Sequence, residues 1–373
     1  MSSGLAVSRR NRRTPYTDRV EALGVSGYSI VNHTLLPKSF ERTVEEDYWH
    51  LKEHVQLWDV GCQRQVELRG PDAARLAQWM TPRDLRTMQP GQCYYAPLTD
   101  EHAGLLNDPV LIKRASDWFW FSIADSDVLL WAKGLALGMD LDVRVSEPDV
   151  WPLAVQGPRA EDLVASVFGN EIRSIRYFEF RQCAFAGCNL VVARSGYSKQ
   201  GGFEIYLDGS ALGSALWDTL WQAGVDMQIA PGCPNLIERI EGGLLSYGNE
   251  MTRQNNPLEI NLDRFCHLAG EVDYIGRAAL EVIARQGPSQ RIRGVLIDGP
   301  PCPPCAKPWP VTVGETQVGQ ITSAIWSPLF KKNVALSLIQ KDHWDPGTQV
   351  TVHLPQDDEM TATIVKLPFD PPR

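Results

Sequence analysis

The chain has 373 residues, 43% of them hydrophobic and 22% charged, with a formal net charge of −9. That is the composition of an ordinary globular protein long enough for two or three domains. The acidic balance argues against partners held by phosphate neutralisation, whether nucleic acid or an anionic membrane, and no apolar run approaches the ~20 residues of a bilayer span.

Arg9, Arg10, Arg12 and Arg13 are followed by the polar TPYTDRVEALGV rather than the apolar stretch of an export signal. The arginines therefore read as a surface or interface segment and the chain as cytoplasmic, which leaves the NHT sequon at Asn32 inert. Eight cysteines are too few for a disulfide scaffold at this length. Cys302 and Cys305 lie in the proline-rich GPPCPPCAKPWP, without the strand and helix of a redox motif. Only Cys183 with Cys188 offers the second close pair a zinc site needs, so all are read as packed or exposed thiols.

In chain order, residues 14–40 read as irregular, with YSIVNHTLLP a short apolar piece carrying His33. Val44, Tyr48, Leu51, Val55 and Trp58 recur at helical spacing, which predicts one amphipathic helix over 43–58. From 63 to 149 the elements alternate: strand QVELRG, helix PDAARLAQWM behind Pro71, strands LLNDPVLIK and WFWFSIA, helix SDVLLWAKGLALGM, strand LDVRVSE. That order suits an α+β unit with a mostly antiparallel sheet. WPLAVQ then forms a strand, and Gly157-Pro158 opens a helix to Phe168 as Gly70-Pro71 opens the earlier one, which points to an internal duplication. A hairpin follows over 177–207 and a helix over 211–223. Another helix enters after Pro234 with Ile237, Ile240, Leu244 and Leu245 inward. Residues 253–276 are irregular, and short strands RIRGVLI, QVGQITSAIW, NVALSLI and QVTVHL make an all-β segment over roughly 290–370.

Residues 191–206, VVARSGYSKQGGFEIY, stand out. Two apolar runs flank a turn with Gly196, Gly201 and Gly202 at its corners, and Glu204 interrupts the second run. A buried carboxylate needs a partner or a ligand; an edge strand with Glu204 in water is the competing reading. No GxGxxG after a strand, P-loop, HExxH or GxSxG is present, and the seven histidines do not cluster at ligand spacing.

LLNDP (105–109), AVQGP (154–158), RSGYSKQGGFEIY (194–206), LLSYGNE (244–250), NPLE (256–259) and DYIGRAAL (273–280) form an ordered set. Together they resemble the tetrahydrofolate-dependent aminomethyltransferase family of the glycine-cleavage T-protein. SRRNRRTPYTDRVEALGVSGY, EEDYWHLKEHVQLWDV, SIADSDV and PGCPNLIERIEGGLLSYGNE are similar to its demethylase branch. The resemblance implies an α+β fold of three domains in a cloverleaf-like arrangement around a central folate channel. Two would be ferredoxin-like α+β modules, 1–60 with 150–285 and 61–149, and the third a β-rich domain over 286–373.

The same resemblance implies methyl transfer from the sulfonium of dimethylsulfoniopropionate to N5 of tetrahydrofolate. Another onium or methoxy compound, or glycine-cleavage aminomethyl transfer, is the alternative. It places Glu204 on the pterin ring, as a carboxylate able to accept two parallel hydrogen bonds, and Asp108 near N5 as the catalytic acid–base group. Tyr95, Gln156, Arg194 and Tyr197 line the folate pocket. Tyr206 offers an aromatic face to the cationic donor, with Ser246 and His33 as further substrate contacts. The implied partners are a small-molecule onium substrate and a second copy of the chain, with no nucleic acid, membrane or metal. A cysteine-motif relative acting in iron–sulfur repair fits poorly, because residues 264–276 read RFCHLAGEVDYIG.

Overall fold

The protein is described by a computed structural model over residues 8–123, 127–268, 270–355 and 358–370. The ends of two predicted elements, Ala124 of WFWFSIA and Ser126 of the helix after it, lie outside the described residues. The chain makes two compact units. One takes the residues up to 77 with 85–95 and 109–235; the other takes 78–84, 96–108 and everything from 236 on.

The first unit holds two large sheets besides a two-stranded hairpin. The smaller runs Arg144–Ser146, Arg64–Arg69, Trp118–Ile123, Val110–Ala115, Cys93–Tyr95 in spatial order; the larger runs Phe180–Phe185, Cys188–Ala193, Gly202–Asp208, Val150–Gln156, Val55–Asp59, Ile229–Gly232. Both are built the same way. A central strand ends at a positive-φ glycine, a helix follows (Ala73–Met80 or Ala160–Phe168), then antiparallel strands, then a second helix (Val128–Gly138 or Gly213–Ala223). The glycines are needed for close approach: a Cβ on Gly70 would stand 2.7 Å from the Asp142 carbonyl oxygen, and one on Gly157 2.4 Å from that of His54. The copies differ at one strand. Val55–Asp59 is inserted between Val150–Gln156 and Ile229–Gly232, pairing parallel to the latter.

Alternation divides the residues of the larger sheet. Phe203, Ile205 and Leu207 enter a core with Leu163, Val164, Leu216, Trp217 and Leu220 of the two helices. Tyr206 goes the other way, into a cluster with Cys93, Ile112 and Trp120 of the smaller sheet.

Three expectations are corrected. The helix over 43–58 covers only Val44–Glu53, capped by Thr43 with Glu46 closing a capping box, and Val55 and Trp58 lie in the Val55–Asp59 strand. A β-branched and aromatic run suits a strand buried on both faces, and its spacing happened to continue the helical one. Residues 14–40 are ordered: helix Thr17–Ala22 and hairpin Gly27–Val31 with Thr34–Ser39, whose turn residues Asn32 and His33 both have positive φ, as a tight two-residue hairpin turn requires. The helix after Pro234 stops at Glu241, so Ile237 and Ile240 are buried in it while Leu244 and Leu245 lie beyond Gly243, at φ +63°.

The second unit carries a closed barrel in the order Gln290–Ile297, Lys332–Gln340, Thr316–Ser327, Trp309–Val313, Gln349–His353, Glu359–Val365. Val295, Val311, Ile321, Ala335, Ile339 and Ile364 fill it, and Cys302 and Cys305 pack against that core. Burial pushes these thiols up, to about 11 and about 12. Among the described residues no helix is long and apolar enough to cross a membrane.

Candidate active site

Glu204 is central in the larger sheet. It sits opposite Ala193 on one neighbouring strand and Ala154 on the other, and Ala154 is in turn opposite Trp58. Small side chains thus flank the carboxylate on the face that Tyr206 shares. Glu204 is 5% exposed, so the solvated edge reading is overturned: the strand is internal and the acid is dry. Burial pushes its pKa up, opposed by the polar side chains beside it, Ser195 first. Ser195 Oγ donates to Glu204 Oε2 at 2.5 Å.

Tyr206 is wholly enclosed, its ring 6.3 Å from that of Trp120. This corrects the expectation of an open aromatic face, since the core of both sheets covers the ring. Its hydroxyl lies by Glu204 and Ser122 yet reaches no partner at hydrogen-bonding geometry. A buried hydroxyl left so is costly, and a ligand polar atom beside Glu204 would satisfy it.

The loop from Ser195 to Gly202 is moulded on Gln156. The amide donates to Ser195 O at 3.3 Å and accepts from Ser198 Oγ at 2.8 Å. A Cβ on Gly196 would fall 2.1 Å from Gln156 Nε2, and one on Gly202 2.4 Å from it. Gln156, expected in the pocket lining, is 0% exposed, and its amide is engaged in holding this loop. Tyr197, half-buried on the loop, packs against Leu51, Trp58, Val60 and Ala154, on the Glu204 side of the sheet. Tyr95 lies two residues from Cys93 on its strand and so shares the face turned to Tyr206.

Arg194 is not in this group. Its guanidinium pairs with Glu161 Oε2 at 2.6 Å, donates to Ile175 O at 3.2 Å and lies over Phe203. Phe203 belongs to the helix-facing core, so Arg194 is on the opposite side of the sheet from Glu204: one residue of alternation separates it from Ser195. His33 is exposed at its hairpin turn.

Asp108 and Ser246 belong to the second unit. Asp108, half-buried, follows the strand Leu105–Asn107, and Pro109 ends the pairing there. The turn that begins at Ser246 is tied to that strand, Tyr247 Oη donating to Leu105 O at 3.0 Å. Glu250 Oε2 takes the Ser246 N–H at 2.8 Å and pairs with Arg239 at 2.9 Å, while Ser246 Oγ accepts from Asn249.

Sequence reasoning missed Gln63, Ser122 and Ser195. Ser195 lay inside the singled-out loop; Gln63 and Ser122 carry no local signal, because only the packing of the two sheets sets them beside Glu204 and Tyr206.

Residues 16–270 match the GCVT N-terminal domain, and residues 290–370 match the glycine cleavage T-protein C-terminal barrel domain. The chain belongs to the glycine-cleavage T-protein family. Among members of that family it is 53% identical, over 97% of its length and 98% of the relative's, to a dimethylsulfoniopropionate demethylase of Ruegeria pomeroyi. It is 30% identical to an aminomethyltransferase of Symbiobacterium thermophilum, with 90% and 91% of the two chains covered. The T-protein fold is seen in the crystal structure of the glycine cleavage system aminomethyltransferase T from Bartonella henselae. That structure superposes with a TM-score of 0.86 at 22% identity, over 96% of this chain and 98% of that one.

Proposed function

We propose that this chain is a tetrahydrofolate-dependent demethylase. It moves a methyl group from the sulfonium of dimethylsulfoniopropionate to N5 of tetrahydrofolate, giving methylmercaptopropionate and 5-methyltetrahydrofolate. The observation that carries this reading is the near full-length 53% identity to the Ruegeria demethylase, against 27–30% for the aminomethyltransferases. The buried, ligand-ready Glu204 supports it.

The chemistry asks little of the protein beyond placement. A sulfonium departs as a neutral thioether, so its leaving group needs no general acid. The attacking N5 amine must lose a proton. Glu204 accepts from the 2-amino group and N3–H of the pterin and fixes the ring, a charge-assisted bidentate contact. Tyr206 meets a bound ligand through its hydroxyl. Asp108 takes the proton or orders the water that does. Holding donor and acceptor in line then supplies most of the rate, as effective molarity. Ser246 and His33 complete the proposed substrate contacts. A reduced folate needs a reducing compartment, which the eight free thiols suit, so the reading places the enzyme in the cytoplasm.

The test is a methyl-acceptor assay with purified protein and tetrahydrofolate, following 5-methyltetrahydrofolate. Dimethylsulfoniopropionate is expected to give product while glycine betaine, methoxyaromatics and an aminomethylated lipoyl carrier do not. Product from none of them ends the methyltransferase reading; product from the carrier alone returns the chain to the aminomethyltransferases.

A further inference from the structure

The polar side chains around Glu204 are aligned in one direction. Gln65 Nε2 donates to Ser122 Oγ at 3.0 Å, its cross-strand partner. Ser122 Oγ donates to Gln63 Oε1 at 3.3 Å. With its oxygen so occupied, Gln63 has its amide nitrogen left to donate, and its side chain is among those that favour the charged form of Glu204. From the adjacent strand end Ser195 Oγ donates to Oε2. Gln65 and Ser195 are 1% and 3% exposed, so these are built contacts rather than surface ones. The other titratable groups facing Glu204 are Tyr206 on its own strand and Cys93 on the smaller sheet. Neither is a cation, and the groups that act on Glu204 are all neutral donors.

That choice of partners has a chemical consequence. A carboxyl enclosed by apolar side chains takes up a proton unless donors hold its charge. An arginine would hold it, but its planar fork would also cover both oxygens. Neutral single donors favour the charged carboxylate against that burial while leaving lone pairs open.

We propose that Ser195 and the Gln65–Ser122–Gln63 relay are positioning residues that keep Glu204 ionised and turned to receive the N–H face of a pterin. This rests on reading Glu204 as the folate acceptor. A protonated Glu204 cannot accept two parallel N–H bonds, so folate affinity falls as the pH drops through the Glu204 pKa. Removing a donor moves that pKa upward and carries the fall to higher pH.

Binding of tetrahydrofolate under anaerobic conditions is measured by calorimetry from about pH 5.5 to 8.5. Ser195→Ala and Gln63→Leu are each expected to weaken binding by roughly tenfold at the acidic end, one pKa unit's worth. The gap to wild type closes as the pH rises. Ser195→Thr keeps the hydroxyl and restores the wild-type profile. Glu204→Gln binds weakly at every pH and corrects for titration of the ligand itself. The melting temperature of the unliganded protein gives a second readout. The deficit of Ser195→Ala should grow with pH, because only the ionised carboxylate misses its donor. Affinity lowered by one constant factor across the range, or a constant melting deficit, overturns the positioning role and leaves Glu204 as acceptor. Wild-type affinity in Glu204→Gln overturns the acceptor reading itself.

Discussion

At the scale of single residues, Glu204 and Tyr206 occupy neighbouring positions on one strand face with opposite needs. Glu204 has donors from Ser195 and Gln63, whereas the Tyr206 hydroxyl is buried and unpartnered. A site waiting for a ligand predicts that Tyr206→Phe separates stability from binding. The unliganded variant should gain about 1 kcal/mol, since an orphaned buried hydroxyl is removed and the ring is kept. It should bind substrate more weakly than wild type; chemical denaturation and calorimetry on the same preparation read both. Lower stability with unchanged binding would make the hydroxyl an ordinary structural group. Asp108 calls for the converse experiment. It is half-buried at the end of the short Leu105–Asn107 strand, so Asp108→Asn should leave the melting temperature within a degree or two. Turnover should fall by about 10²–10⁴, the range of a lost acid–base group; a folded variant with wild-type kcat would remove Asp108 from the proton path.

At the scale of elements, the loop from Ser195 to Gly202 depends on two glycines whose absent side chains make room for Gln156. Gly196→Ala would drive a methyl into the Gln156 amide, which bonds the loop at Ser195 and Ser198. The expected cost is about 2 kcal/mol of stability, with a larger loss of folate affinity because Ser195 is displaced from Glu204. Wild-type affinity in that variant would mean the loop does not set the site. How far such elements are legible in the sequence follows from their physics. The hairpin around Glu204, the paired Gly–Pro helix starts and the β-rich tail were readable because turn glycines and alternation are local signals. The Val44–Trp58 stretch was misread because the last apolar residues of a helix and the first of a strand fell on one helical period. Arg194 was misplaced for a related reason: a motif shows which residues travel together, while strand alternation decides that Ser195 faces the acid and Arg194 the helices. Gln63 and Ser122 were invisible because only the packing of one sheet on the other brings them to Glu204 and Tyr206 respectively.

At the scale of the whole molecule, two of the buried acids, Glu250 and Asp59, are accommodated differently. Glu250 pairs with Arg239, both side chains under a tenth exposed, and also accepts from Ser323. Asp59, 3% exposed at the end of the Val55–Asp59 strand, has no cation among the groups acting on it. Thr14 Oγ1 donates to its Oδ2 at 2.5 Å and the Gly61 N–H to its Oδ1 at 3.1 Å. Through Thr14 it anchors the N-terminal segment, whose Tyr16 hydroxyl reaches the Trp151 carbonyl at 2.9 Å. Burial pushes Asp59 to about 7. The sign follows from proton counting. Between the ordinary carboxylate value and about 7 the folded chain holds a proton on Asp59 that the unfolded chain has released, so stability falls as the pH rises through that window and levels off above it. A displacement of roughly three units bounds the effect at about 4 kcal/mol. Asp59→Asn keeps an acceptor for Thr14 and cannot titrate. Melting curves from pH 5 to 8 should therefore show wild type losing stability toward pH 8 relative to Asp59→Asn. Cleavage of wild type by trypsin after Arg12 or Arg13 should quicken over the same range, as an ionised Asp59 loosens the segment it holds. If the two proteins keep a constant difference in melting temperature across that range, Asp59 does not titrate there and the N-terminal segment is held by packing alone.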